Sequence, residues 1–112
     1  MLIVDDDEDV RESVRDIVEM MGCSALMAAS GEEALALLVH RRPCLVVLDL
    51  LMPGMNGAQM LEEMRRTPAL LTVPVVMSTS VPERAPAGVA VLPKPLNVEA
   101  LVGLMRRTCQ CA

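Results

Sequence analysis

No phenylalanine, tyrosine or tryptophan occurs among the chain's 112 residues. Stacking of nucleobases on aromatic rings is therefore excluded. The core must be built from Val, Leu, Ile, Ala and ten methionines. Basic residues are also few: ten Lys and Arg stand against fifteen Asp and Glu, for a net charge of -5 and a pI near 4.8. Phosphate backbones need clustered cations, so no nucleic-acid partner is expected. The pairs Arg41-Arg42, Arg65-Arg66 and Arg106-Arg107 fall near expected helix ends, where they suit the helix dipole. No apolar run approaches the roughly 20 residues that cross a bilayer. The opening MLIVDDD lacks both the basic region and the cleavage site of a signal peptide. The expectation is a cytoplasmic protein with no membrane partner. The one histidine, His40, lies near a helix end and reads as a surface residue.

Four cysteines are present, Cys23, Cys44, Cys109 and Cys111, and their spacing matches no zinc pattern. Cys23 and Cys44 flank apolar segments and read as small core residues. Cys109-Gln110-Cys111 has the chemistry to bind a soft metal or to crosslink two chains. The expectation there is a frayed, reduced and inert tail.

What the chain does have is 53% hydrophobic residues, enough for one domain over residues 1–112 with a single core. Leu2 to Val4 reads as a short strand running into Asp5-Asp6-Asp7. Val10, Val14, Ile17, Val18 and Met21 then mark one face of a helix, with Gly22 at its C-terminal cap. Cys23 to Ala29 is a weak strand. Ser30 and Glu33 have capping-box spacing and open a helix carrying Leu35, Leu37, Leu38 and Val39, which Pro43 stops. Cys44 to Leu48 is the strongest strand, apolar without interruption, as expected of a strand buried on both faces. Gly57 to Arg66 is helical, with Met60, Leu61 and Met64 inward. Pro74 to Ser78 is a fourth strand and Val89 to Leu92 a fifth. Asn97 caps a last helix, with Val98, Leu101, Val102 and Met105 on one face. Between the last two strands, SVPERAPAG is too rich in proline for a normal helix.

Strands alternating with helices imply a parallel sheet covered on both faces, with function at the carboxyl ends of its strands. Those ends hold Asp5 and Asp6, Asp49, Ser78 and Thr79, and Lys94 between two prolines. Three clustered carboxylates are unfavourable alone: two charges about 5 Å apart repel by roughly 3 kcal/mol at an effective dielectric near 20. A hard divalent cation such as Mg²⁺ offsets this, and it also accepts phosphoryl oxygens. An Asp carboxylate can act as a nucleophile and form an acyl phosphate. Lys94 and Thr79 have the chemistry to hold the incoming phosphoryl oxygens. Each piece alone has a plain structural use. Asp7 and Asp9 read as helix caps rather than ligands, and only the conjunction at four strand ends is specific.

LIVDDDEDVR at 2–11, VVLDLLMPGMNG at 46–57, PVVMSTS at 74–80 and PKP at 93–95 resemble the receiver domain of bacterial two-component response regulators. The resemblance covers nearly the whole chain. It implies a flavodoxin-like (βα)5 fold with a sheet of order 2-1-3-4-5. It implies phosphorylation of Asp49 by a sensor histidine kinase or a histidine phosphotransfer protein. It further implies Mg²⁺ held by Asp6 and Asp49 with Asp5 in support and the backbone carbonyl of Leu51, Thr79 as a switch hydroxyl, Lys94 on the phosphoryl group, and a cis Lys94-Pro95 bond. Such a domain signals to a downstream protein and is not a conventional enzyme.

Three departures from that family stand out. Only fourteen residues separate Thr79 from Lys94, about two helical turns fewer than usual, so the fourth helix is expected to be shortened or missing. Val91 stands where the family usually carries Tyr or Phe. The chain ends after its last helix, with no output domain in it. An exposed surface left by a missing helix favours a homodimer. Two other readings stay open: a pseudo-receiver that binds protein without switching, and a small aspartyl phosphatase whose nucleophile would lie within Asp5-Asp6-Asp7.

Overall fold

The computed structural model describes residues 1–111. Five strands, β1 (Leu2–Val4), β2 (Leu26–Ala28), β3 (Val46–Asp49), β4 (Val75–Thr79) and β5 (Ala90–Pro93), form one parallel sheet of order β2-β1-β3-β4-β5. Among the described residues four α-helices cover it: α1 (Glu8–Met20), α2 (Gly31–Leu38), α3 (Gly57–Arg65) and α4 (Val98–Thr108). This is the expected flavodoxin-like architecture. None of these helices is long and apolar enough to cross a membrane.

The period-2 geometry of strands divides the core into two. Leu2, Val4, Val46, Leu48 and Met77 face α2 and α3 and pack with Ala34, Leu38, Met60, Leu61 and Met64. Ile3, Val47, Val76 and Leu92 face the other way and pack with Val14, Val18, Leu101 and Met105 of α1 and α4. Every residue of β3 is buried, which explains its unbroken apolar run. Unbranched methionine fills the irregular gaps that aromatic rings would otherwise occupy. Two expected inward positions are corrected: Val39 is 66% exposed and Val98 50%. Each sits at the margin of its helix, Val39 just past the end of α2 and Val98 at the first turn of α4.

Asp7 accepts from the Asp9 and Val10 amides and caps α1, and Asn97 caps α4. Ser30 accepts from Glu33 N–H at the start of α2, while the Glu33 carboxylate reaches the Ala29 amide. The helix expected to be damaged is lost. Residues 80–89 hold one turn of 3₁₀ helix, Pro82–Arg84, and Val81, Ala85 and Val89 pack onto the α2–α3 side of the core in its place. A cavity of about 180 Å³ opens beside them, between Leu61, Met64, Leu70, Val73, Val75 and Val89. His40 is exposed, as expected.

Cys23 is buried in the core and Cys44 packs against it, as expected, but the four cysteines are paired rather than reduced. Cys23 is bonded to Cys111 and Cys44 to Cys109, and Cys109 is buried. The tail is not frayed there, because the Cys109 amide donates to Met105 O at 2.7 Å and carries the last turn of α4 down into the core.

Candidate functional site

Parallel register sets the site. Asp49 lies opposite Ser78, and Thr79 opposite Pro93, so the ends of β3, β4 and β5 emerge at one edge. β1 contributes its own end, Asp5, directly after Val4. The carboxylate oxygens of Asp5, Asp6 and Asp49 lie within 4.8 Å of one another. Lys94 Nζ donates to Asp5 Oδ2 at 3.0 Å and to Asp49 Oδ1 at 3.3 Å. The Lys94-Pro95 bond is cis. Thr79 is fully buried and its hydroxyl oxygen accepts from Val81 N–H at 3.0 Å. Leu51 enters through its N–H, 3.4 Å from Asp49 Oδ1, while its side chain is exposed.

Three consecutive aspartates do three different things. Asp5 is buried; it accepts from the Asp7 amide at 2.9 Å and faces Lys94. Asp6 is exposed at the mouth of the site. Asp7 turns back to cap α1.

Burial, and then the charge of Asp5, pushes the Asp49 carboxyl up to about 6 against the opposing pull of Lys94 and the Leu51 amide. At neutral pH it is still an anion. Burial lowers the Lys94 ammonium, but its hydrogen bond to Asp5 and the charges of Asp49 and Asp5 outweigh this, and the net direction is up. Lys94 therefore stays charged. One ammonium between buried carboxylates leaves the cleft net negative.

The donor set fits a hard cation. Mg²⁺ takes oxygen ligands at 2.0–2.1 Å, so octahedral neighbours are about 3 Å apart and opposite ligands about 4 Å, close to the spread of these carboxylate oxygens. An all-oxygen donor set of this kind suits Mg²⁺.

The sequence reading missed three parts of the support. Arg11 Nη1 donates to the Asp5 carbonyl at 2.7 Å and steadies the acidic loop. Asn56 and Gln59 form a full capping box at α3, and their N-x-x-Q spacing was legible. Gly57 is required for space: its N–H donates to Leu50 O at 2.9 Å, and a Cβ there would sit 2.9 Å from Leu50 Cα and inside contact distance of the Asp49 carbonyl oxygen. The turn before it runs through Pro53 and then Gly54 at φ 72°, where glycine relieves the strain. The loop 50–57 is thus pressed onto the end of β3.

Fold and site together define a doubly wound α/β domain with an acidic, lysine-closed cleft at the carboxyl edge of its sheet. Residues 1–105 match the family model of the response regulator receiver domain, and the chain belongs to that family. The response regulator MprA of Mycobacterium sp. (strain KMS) is 40% identical over 95% of this chain. The phosphate regulon transcriptional regulatory protein PhoB of Pseudomonas aeruginosa is 34% identical over 71% of it. The chain spans 48% of that MprA and 35% of that PhoB. Among solved structures, chemotaxis response regulator CheY4 of Vibrio cholerae superposes with a TM-score of 0.84 at 29% identity, covering 96% of this chain and 95% of that one. The receiver domain of NtrX from Brucella abortus gives 0.86 at 29%, with the same coverage.

Proposed function

We propose that residues 1–112 form a cytoplasmic phosphoacceptor unit that takes a phosphoryl group on Asp49 from the phosphohistidine of a sensor kinase or a phosphotransfer protein. The observation that carries this reading is the placing of Asp49, anionic and buried, within reach of Lys94 and two further carboxylates at the edge of the sheet. Asp49 supplies the attacking oxygen. A P–O bond forms to it as the P–N bond to histidine breaks, and the histidine nitrogen leaves. Lys94 is placed to follow the phosphoryl oxygens as its hold on Asp49 is exchanged for them. The Thr79 hydroxyl oxygen accepts from Val81 N–H and keeps its own hydrogen free to donate to a phosphoryl oxygen. Asp6, Asp49 and the Leu51 carbonyl, with Asp5 in support, would hold Mg²⁺. When bound, that ion neutralises the carboxylates and the charge on the transferring oxygens. Positioning and charge neutralisation carry such transfers. Because the phosphoryl group stays on Asp49, the output in this reading is binding to a downstream protein rather than release of a product.

The test is transfer of labelled phosphate from a phosphohistidine kinase core in the presence of Mg²⁺. The label should be released by hydroxylamine, as an acyl phosphate is, and should not appear on Asp49→Asn. Label that resists hydroxylamine or persists in the variant contradicts the reading.

A second reading rests on the output face. β5 carries the half-buried Val91 where a ring would report the switch, and one 3₁₀ turn replaces the helix beside it. These features suit a pseudo-receiver, a binding module indifferent to phosphate. In that case partner affinity is equal for phosphorylated protein and Asp49→Asn, whereas the first reading expects a difference.

A further inference from the structure

The chain's four cysteines converge at the edge of the sheet opposite Asp49. Cys23 comes from the α1–β2 connection, Cys44 stands two residues before β3, and Cys109 and Cys111 follow α4. The Cα atoms of the two bonded pairs are 5.0 and 5.2 Å apart. The sulfurs of Cys44, Cys109 and Cys111 all lie within 4.8 Å of one another, and the Cys23 sulfur is bonded to that of Cys111. Two disulfides need only two separate close pairs. Here the pairs share one cluster assembled from three distant segments.

Four thiolates around a tetrahedral Zn²⁺ sit about 2.3 Å from the metal, hence about 3.8 Å from one another. The sulfurs of Cys44, Cys109 and Cys111 match that size, and Cys23, bonded to Cys111 at the edge of this group, is the fourth sulfur within reach once its bond is reduced. The nearest chain neighbours of these cysteines are Gly22, Ser24, Pro43, Leu45, Thr108 and Gln110, none of them acidic. Arg41, Arg42, Arg106 and Arg107 stand within three residues of a cysteine and suit the double negative charge of a metal tetrathiolate. Cys23 and Cys109 are buried in the α1–α4 side of the core, which supplies a closed, dry wall. We propose that the reduced protein holds a thiophilic divalent ion, Zn²⁺ by its coordination chemistry, on Cys23, Cys44, Cys109 and Cys111, and that the paired disulfides are the oxidised form of this site. The site clamps the end of α4 to the start of β3. It is separate from Asp49, which lies at the other end of β3 from Cys44, and thiolates suit soft ions that an all-oxygen site does not favour.

Each disulfide takes one phosphine and one water, giving two thiols and the phosphine oxide. Binding of the ion then releases up to four thiol protons. The test is an anaerobic Co²⁺ titration of the phosphine-reduced protein, followed by Zn²⁺ displacement. Expected are sulfur-to-cobalt charge-transfer bands that saturate at one ion per chain, persist in Asp49→Asn and vanish on adding Zn²⁺. Cys109→Ser should weaken binding by more than about tenfold, and urea should weaken it as strongly, because the fold assembles the ligands. Charge-transfer bands absent at saturation, or retained when all four cysteines are serine, overturn the proposal. So does affinity unchanged in urea, or saturation at half an ion per chain with dimerisation, which would place the metal between two chains.

Discussion

Replacing Asp49 with asparagine should make the metal-free domain more stable at neutral pH. The carboxyl moves from 3.8 to about 6 on folding. The folded state therefore binds its proton more tightly than the unfolded chain does. Stability falls as pH rises through the window from about 4 to about 6, and the loss persists above it. A shift of about two units is worth at most ~3 kcal/mol. Asp6 at the open mouth admits water and reduces this, so the expected gain for Asp49→Asn is ~1–2 kcal/mol at pH 7.5. Asparagine keeps an oxygen for Lys94, and Lys94 keeps Asp5 at 3.0 Å, so no buried charge is stranded. The assay is urea unfolding followed by far-UV circular dichroism, since the chain has no Trp or Tyr to report fluorescence. The gain should shrink towards zero near pH 4. Saturating Mg²⁺ should stabilise the wild type, by ~2.7 kcal/mol at a hundredfold excess over Kd, and the variant much less. An asparagine variant no more stable than wild type at pH 7.5 would refute the account of a strained, net-negative cleft.

Gly57→Ala should lower stability by ~1–3 kcal/mol, through its clash with Leu50 and Asp49, and slow phosphorylation with it. Helix propensity alone predicts a gain of up to ~1 kcal/mol, so the sign of the change in urea midpoint decides between them. Leu51, exposed, and Val81, half-buried, lie two residues beyond Asp49 and Thr79, where their apolar side chains should hinder attacking water. Polar residues at both positions should shorten the acyl-phosphate lifetime, read by its decay in Mg²⁺. Reducing both disulfides in a chelator should cost several kcal/mol in the same urea assay. The bonded residues are separated by 88 and 65 positions, and loop-closure entropy assigns such loops about 4–5 kcal/mol each, without full additivity because they overlap.

The sheet was legible because period-2 burial and strand–helix alternation leave few topologies open. The acidic cleft was legible because four strand ends carried its chemistry in plain view. The loss of a helix followed from Pro82, Pro86 and the short spacing from Thr79 to Lys94. The cysteine pairing was not legible, since it depends on where the last turn of α4 lands relative to β3, a tertiary fact with no local signal. The tight seat of Gly57 is likewise set by a neighbouring strand. Val39 and Val98 followed the apolar pattern but fell at helix margins, where periodicity says little about burial.

Intact mass after incubation with acetyl phosphate and Mg²⁺, beside Asp49→Asn, tests the central claim most directly. Gain of one phosphoryl group by the wild type alone is the predicted result. No gain under conditions that label another receiver, or an equal gain by the variant, would contradict it.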